Sequence, residues 1–278
     1  MSTEVHTTAV VYDGARVGTG VSIGPCAVVG EHVEIGDNCV LDAHAIVTGR
    51  TTMGPGNHVF SQSVIGGPPQ DLKYDGEETV LEIGARNIFR EGVTINAGTV
   101  LGGGKTVIGD DCMLMTHCHV AHDCVVDSEV VLANNVMLAG HVTVHRGAVI
   151  SGGAGIHHFT TVGEYAYIGG LTRITNDVPP FMIIEGHPAR IRGVNVIGLK
   201  RMGMSSEAIS AIKDAFKLLF RSDHPVRESC NHLQEEYRAV PEVLRLIAFM
   251  RATESGRLGR QNESPDRRFS QKNRDPKK

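Results

Sequence analysis

Tryptophan is absent from the 278 residues, and aromatic side chains make up only 5% of them. A core assembled from large interlocking rings is thereby excluded. No run of eighteen or more apolar residues exists, so no segment reads as a membrane-spanning helix. Met1-Ser2-Thr3-Glu4 lacks the basic start and apolar stretch of a secretory signal, so a soluble chain without integral membrane association is expected. The six cysteines form no CxxC pair, which leaves out zinc-ribbon and thiol–disulfide motifs. Positive charge is scarce except at one end. Residues 257–278 carry eight Lys/Arg against three acids, while the rest carries nineteen against twenty-eight. So acidic a body excludes nucleic acid as a partner, and the short basic tail reads as disordered.

Glycine is what the chain has in excess: 33 residues, about 12% against a usual ~7%. The apolar residues keep a strict clock. Val5, Val11, Val17, Ile23, Val29, Ile35, Leu41, Val47, Met53, Val59 and Ile65 recur every six residues. The clock stops for 67–82, where Gly66-Gly67-Pro68-Pro69 projects a loop insertion, and resumes at Ile83, Phe89, Ile95 and Leu101. It gains one residue at Gly102-Gly103-Gly104-Lys105, then runs from Ile108 to Ile174 without a further slip. Neither a helix nor an alternating strand has a period of six, whereas a three-sided prism coiled from short strands does. Three hexads make an eighteen-residue coil. The pattern is the hexapeptide repeat of a left-handed parallel β-helix, here nine coils over residues 1–180 and, at ~4.8 Å per strand spacing, about 43 Å long. A second inward slot lies two residues before each clock position; it holds small or β-branched residues, and Cys39, Cys112, Cys118 and Cys124 fall into it as reduced packing residues.

The rhythm changes beyond Val178-Pro179-Pro180. Residues 181–256 are predicted to form a connecting segment and a small C-terminal α-helical domain. Ser205 caps a helix with Ile209, Ile212, Phe216, Leu219 and Phe220 on one face, Pro241 opens another with Val243, Leu244, Ile247 and Met250, and Leu233 and Tyr237 mark a helix between them.

Candidate chemistry gathers in the later coils. His119 and His122 flank a corner, and a spacing of eighteen stacks His141 above Asp123 and places Gly140 and His158 in the column above His122. Imidazoles, one carboxylate and a stretch of bare backbone are thus expected on one face.

The segments Gln70-Asp71-Leu72-Lys73-Tyr74, His119-Val-Ala-His122-Asp123-Cys124, Leu132-Ala-Asn-Asn-Val-Met-Leu-Ala-Gly140-His141, Asp177-Val-Pro-Pro180, Gly193-Val-Asn195 and Gly198-Leu-Lys-Arg201 closely resemble the UDP-N-acetylglucosamine O-acyltransferase family over roughly residues 5 to 255. The resemblance implies a bacterial, cytoplasmic enzyme of the first step of lipid A biosynthesis, a homotrimer with active sites between neighbours. It would move a 3-hydroxyacyl group from acyl carrier protein to the 3-position of UDP-N-acetylglucosamine, with no cofactor and no metal, since the acyl thioester is itself a substrate. His122 would be the general base, Asp123 its orienting partner and Gly140 the backbone oxyanion donor. Gln70, Asp71, Lys73, His119, His141, His157 and His158 would line the sugar and acyl sites, Asn195 and Arg201 would address the nucleotide, and Gly170 would match the position that sets acyl length. The glycine pairs 152–153 and 169–170 stand about one coil apart, which predicts a strip without side chains for the hydrocarbon. Asn96-Ala97 departs from the family's usual His-Arg and leaves the acceptor open between a 3-hydroxyl and a 3-amino group. Three rivals share the fold. A γ-class carbonic anhydrase would use His117 and His122 but meets Asn96 where its third zinc ligand belongs; the related N-acyltransferase carries a separate domain before its prism; and a non-enzymatic scaffold needs no His–Asp pair.

Overall fold

The computed structural model describes residues 2–258; the basic tail expected over 257–278 lies almost wholly outside them. The six-residue clock folds as three faces, A, B and C, visited in that order, each a stack of strands mostly two residues long. Face A takes eleven strands, face B nine and face C eight, and every rung of the prism pairs in parallel with the strand one coil away, as Val28↔Ile46 and Val131↔Val149 do. The architecture is a left-handed parallel β-helix. Clock residues point inward because a strand alternates its side chains, and Val29, Val59, Ile95, Leu132 and Ile150 lose all contact with solvent. Burying such a side chain contributes roughly 1.5–3 kcal/mol before entropy is set against it. The thiols of Cys39, Cys112, Cys118 and Cys124 are reduced and buried as expected, and burial raises those of Cys112 and Cys118 to about 11.

Most corners are turned by a residue in the left-handed region three places after the clock position: Asn38, His117, Asp123, Asn135 and His141 have φ between 57° and 63°. The glycines directly after clock residues answer to a different need. A Cβ on Gly24 would lie 2.9 Å from the backbone of Ala43 in the next coil, so stacked corners approach too closely for any side chain there.

Three expectations need correction. Leu101 is not a rung: it is 68% exposed in the 3-10 turn Val100–Gly102, and the strand Lys105–Ile108 follows Val80–Ile83 on face C in its place. The prism also does not end at 180, because Met182–Glu185 adds a parallel rung to face A through Tyr167↔Ile183 before turning back antiparallel as Arg190–Val194. The projecting loop is slightly shorter than expected, since Val80–Ile83 already belongs to face C.

Four helices follow: α1 Val196–Arg201, α2 Ser206–Phe220, α3 Val226–Glu236 and α4 Pro241–Glu254. Ser205 Oγ accepts the Ala208 N–H and Pro241 opens α4, so both predicted helix starts are borne out. Ile209, Ile212, Leu219, Leu233, Val243 and Ile247 form a second core with Phe181 and Met182 of the prism's last coil, and Arg245 pairs with Glu164 on the C–A corner. No helix among the described residues is long and apolar enough to cross a membrane.

Candidate active site

Both interruptions of the clock leave the prism at the same corner. Residues 68–79 connect Val64–Gly67 on face B to Val80–Ile83 on face C, and residues 97–104 connect Thr94–Asn96 to Lys105–Ile108 one coil above. In the next coil this B–C corner carries Ala121-His122-Asp123; above it lie Ala139-Gly140-His141 and then His157-His158-Phe159.

His122 Nδ1 is 2.7 Å from Asp123 Oδ2, and the Asp123 side chain is fully sealed from solvent. Burial pushes the Asp123 carboxyl up, but hydrogen bonds from His122 and from the Thr99 side chain and backbone, with the field of His141, outweigh it, so the group lies below its ordinary value. The carboxylate is therefore an acceptor only, and the proton of this hydrogen bond sits on His122 Nδ1. Gly140 packs against this ring: a Cβ there would lie 2.6 Å from His122 Cε1 and 2.8 Å from Nε2. Glycine is thus required by the imidazole as well as by any approaching substrate. The Gly140 N–H donates to no group among the described residues.

His141 stands edge-on to His122 with ring centroids 5.2 Å apart, places Nε2 3.6 Å from Asp123, and stacks on Phe159 at 4.3 Å. His157 and His158 have ring centroids 3.8 Å apart. His119 Nδ1 meets Thr94 Oγ1 at 2.7 Å, and burial followed by the charge of His122 lowers its pKa. Asn96 is buried, and its Oδ1 has no hydrogen-bond partner among the described residues.

On the projecting loop, Gln70 and Lys73 are exposed, while Asp71 Oδ1 accepts the Lys73 N–H at 3.0 Å and so holds the loop's own turn. Asn195 and Arg201 do not join the histidines within one chain. Asn195 is buried against the C–A corner, with Nδ2 donating to Tyr165 O and Oδ1 capping α1 through the Gly198 N–H; Arg201 is exposed at the end of that helix. Gly170 lies at the A–B corner, across face B from His122. The expected bare strip is half right. Cβ atoms on Gly152 and Gly170 would meet only carbonyl oxygens, at 3.2 and 3.3 Å, but Gly153 is covered by Leu171 and Gly169 by Glu185. A groove of about 570 Å³ crosses face B between the two corners, lined by His119, Ala121, Met137, Gly155, His157 and Leu171.

His122, Asp123 and His141 are the one group among the described residues whose ligand atoms fall within 4.8 Å of one another. Asp123 already spends both oxygens on Thr99 and His122, which suits proton handling better than coordination. His117, the other histidine of the carbonic anhydrase alternative, sits at the opposite end of the strand His119–Val120, against Gly92 on the A–B corner.

Sequence reasoning missed Thr99, Gly102 and Phe159. Thr99 donates to Asp123 through N–H at 2.7 Å and Oγ1 at 2.6 Å, and a Cβ on Gly102 would collide with the same carboxylate. The signal for Thr99 and Gly102 was the one-residue slip at Gly102-Gly103-Gly104, which marks a segment leaving the repeat; Phe159 sits in the regular repeat and carried none.

A family model described as UDP-N-acetylglucosamine O-acyltransferase, domain 2, matches residues 177–258, and one described as bacterial transferase hexapeptide (six repeats) matches 105–140. The acyl-[acyl-carrier-protein]–UDP-N-acetylglucosamine O-acyltransferase of Rhizobium johnstonii is 43% identical over 251 residues, 90% of this chain and 92% of its own. Among solved structures, a UDP-N-acetylglucosamine acyltransferase from Bacteroides fragilis superposes with a TM-score of 0.88 at 36% identity, covering 92% of this chain and 98% of that one. The corresponding Campylobacter jejuni enzyme gives 0.85 at 36%, covering 88% and 95%.

Proposed function

The chain belongs to the UDP-N-acetylglucosamine O-acyltransferase family, and from that premise we propose that it moves an acyl group from acyl carrier protein to the sugar 3-position with His122 as general base. Neutral imidazole suits this task because its proton affinity lies near working pH. Nε2 takes the proton from the acceptor hydroxyl as that oxygen bonds to the thioester carbon. The oxyanion that forms is met by the Gly140 N–H, which has no partner among the described residues. Collapse expels the carrier's thiolate, and the imidazolium returns its proton to that sulfur. Asp123 holds the imidazolium in place and stabilises its charge without taking the proton. Neither step calls on a metal or cofactor, the acyl group is 3-hydroxylated by resemblance to the family, and the product enters lipid A assembly in the bacterial cytoplasm.

The observation that carries the base assignment is the pairing of His122 Nδ1 with a sealed carboxylate while the face of the ring packs beside a glycine. His122→Ala should lower turnover at least ~10²-fold, the scale for a positioned acid–base group. Near-normal turnover by a folded His122→Ala protein would refute the assignment.

A homotrimer is the assembly this reading favours. Asn195, Arg201 and Gly170 stand at corners other than that of His122, so a site using all of them needs a neighbouring copy beside each B–C corner, as three prisms around one axis supply.

A further inference from the structure

We propose that Thr99 is a positioning residue for the reaction, fixing the Asp123 carboxylate so that it presents Oδ2 to His122; this rests on the reading of His122 as the base. Asp123 Oδ1 accepts the Thr99 N–H, and Oδ2 accepts both the Thr99 hydroxyl and His122 Nδ1–H, all within 2.7 Å. Thr99 therefore grips both oxygens as a fork and sets the rotation of the carboxylate about its Cβ–Cγ bond. The hydroxyl is itself oriented. Its oxygen accepts the Gly102 N–H at 3.1 Å as the cap of the turn Val100–Gly102, which leaves its hydrogen directed at Asp123.

The regular repeat supplies no such grip, because an ordinary B–C corner passes from face B to face C without a loop. Only the slip at 97–104 lays a second layer of backbone over the carboxylate, and Gly102 is the position at which a side chain would push Asp123 away. The Thr99 bonds also lower the proton affinity of Asp123, so that the proton gained during turnover stays on His122 and remains available for the leaving sulfur. The other titratable groups facing this pair are His141, 3.6 Å from Asp123, and His119, whose charge couples to that of His122; His158 stands in the column two coils above His122, and the Cys124 thiol, pushed up to about 12 by burial, stays protonated.

The test compares Thr99→Val, which keeps the volume and loses the hydroxyl, with Thr99→Ser, which keeps the hydroxyl. Turnover against pH and thermal melting are measured on the full chain with acyl carrier protein and UDP-N-acetylglucosamine. Valine should lower kcat by about 10- to 100-fold, the scale of one hydrogen bond to a charged group, with KM little changed. It should also move the acid limb of the kcat profile to higher pH, because a less satisfied Asp123 holds the imidazolium more tightly. Serine should keep kcat within about threefold and leave the limb in place. A folded valine variant with wild-type kcat and limb overturns the proposal, as does one that loses kcat with the limb unmoved. If valine melts early, serine decides alone: a tenfold or greater loss with the hydroxyl retained sinks the idea. His122→Ala run in parallel separates the two readings. An active His122→Ala protein removes the base assignment, whereas an inactive one beside a wild-type-like Thr99→Val removes only the role of Thr99.

Discussion

Replacing Gly140 by alanine asks how tightly the fold sets the position of the base. The added methyl would stand 2.6 Å from His122 Cε1, 2.8 Å from Nε2 and 3.1 Å from Nδ1. Non-bonded carbon atoms settle at about 3.5–4.0 Å, so the ring must withdraw by roughly 1 Å. The 2.7 Å bond from Nδ1 to Asp123 cannot follow such a shift, since Asp123 is anchored by Thr99. A misplacement of ~1 Å at the reacting centre costs on the order of 10²-fold in rate, and that is the loss expected in kcat. The substitution leaves the oxyanion donor and the main chain intact. Alanine keeps the backbone N–H, and Gly140 is not among the residues with positive φ, so no backbone strain is introduced. The assay is initial-rate acyl transfer by wild type, Gly140→Ala, His122→Ala and the double variant, each checked by thermal melting. If the methyl acts only through the imidazole, it should cost nothing further once His122 is alanine. Turnover of Gly140→Ala within a few-fold of wild type, or an undiminished loss in the His122→Ala background, would refute the reasoning.

Gly170→Met should shift donor preference toward shorter 3-hydroxyacyl chains; at ~0.8 kcal/mol per buried methylene, blocking about four is worth roughly 200-fold, read by competing carrier-bound donors and weighing the products. Identical ranking by wild type and variant would make Gly170 a simple corner residue. Asn96 buries a carbonyl oxygen with no partner among the described residues, and an acceptor N–H would satisfy it. Measurable amide product from the 3-amino analogue of UDP-N-acetylglucosamine is therefore expected by mass spectrometry, and strict rejection of the amine would withdraw that role from Asn96.

The prism was legible because its physics is local and periodic: each coil repeats one inward slot and one corner, so Ile23, Leu41, Val59 and Leu132 announce their burial by spacing alone. The stacking of Asp123 beneath His141 followed from the same arithmetic of eighteen. What spacing could not show was contact made by residues off the clock. Leu101 fell on a clock position by coincidence, and only the pairing of Val80–Ile83 with Lys105–Ile108 reveals that the chain has left the prism around it. Asn195 was expected to address a nucleotide, and spacing did not show that its amide also bridges Tyr165 and the first turn of α1. Gly140 reads from the sequence as room for a substrate, and spacing did not show that the His122 imidazole packs against the same glycine.

A coil repeated without change offers the same corner at every level, and such a surface has no means of distinguishing one level as a site. Distinction requires that the repeat be broken and that the break fall beside the residues to be set apart. Both breaks in this chain leave face B at one corner, in the two coils directly below His122. The upper one reaches into the site and closes on Asp123 through Thr99. The lower one carries Gln70, Asp71 and Lys73 outward beside it and leaves Gln70 and Lys73 exposed. The carboxylate would otherwise be an ordinary left-handed corner residue: Asp111 occupies the equivalent turn position on the C–A corner with φ 57°, pairs with Arg86 in the open and is bound to no loop. The same residue type in the same backbone conformation is thus a solvated surface charge at one corner and a sealed partner of a base at another. Residues 97–104 make that difference, which is why the slip at Gly102 bears on the chemistry as directly as the histidine motif does.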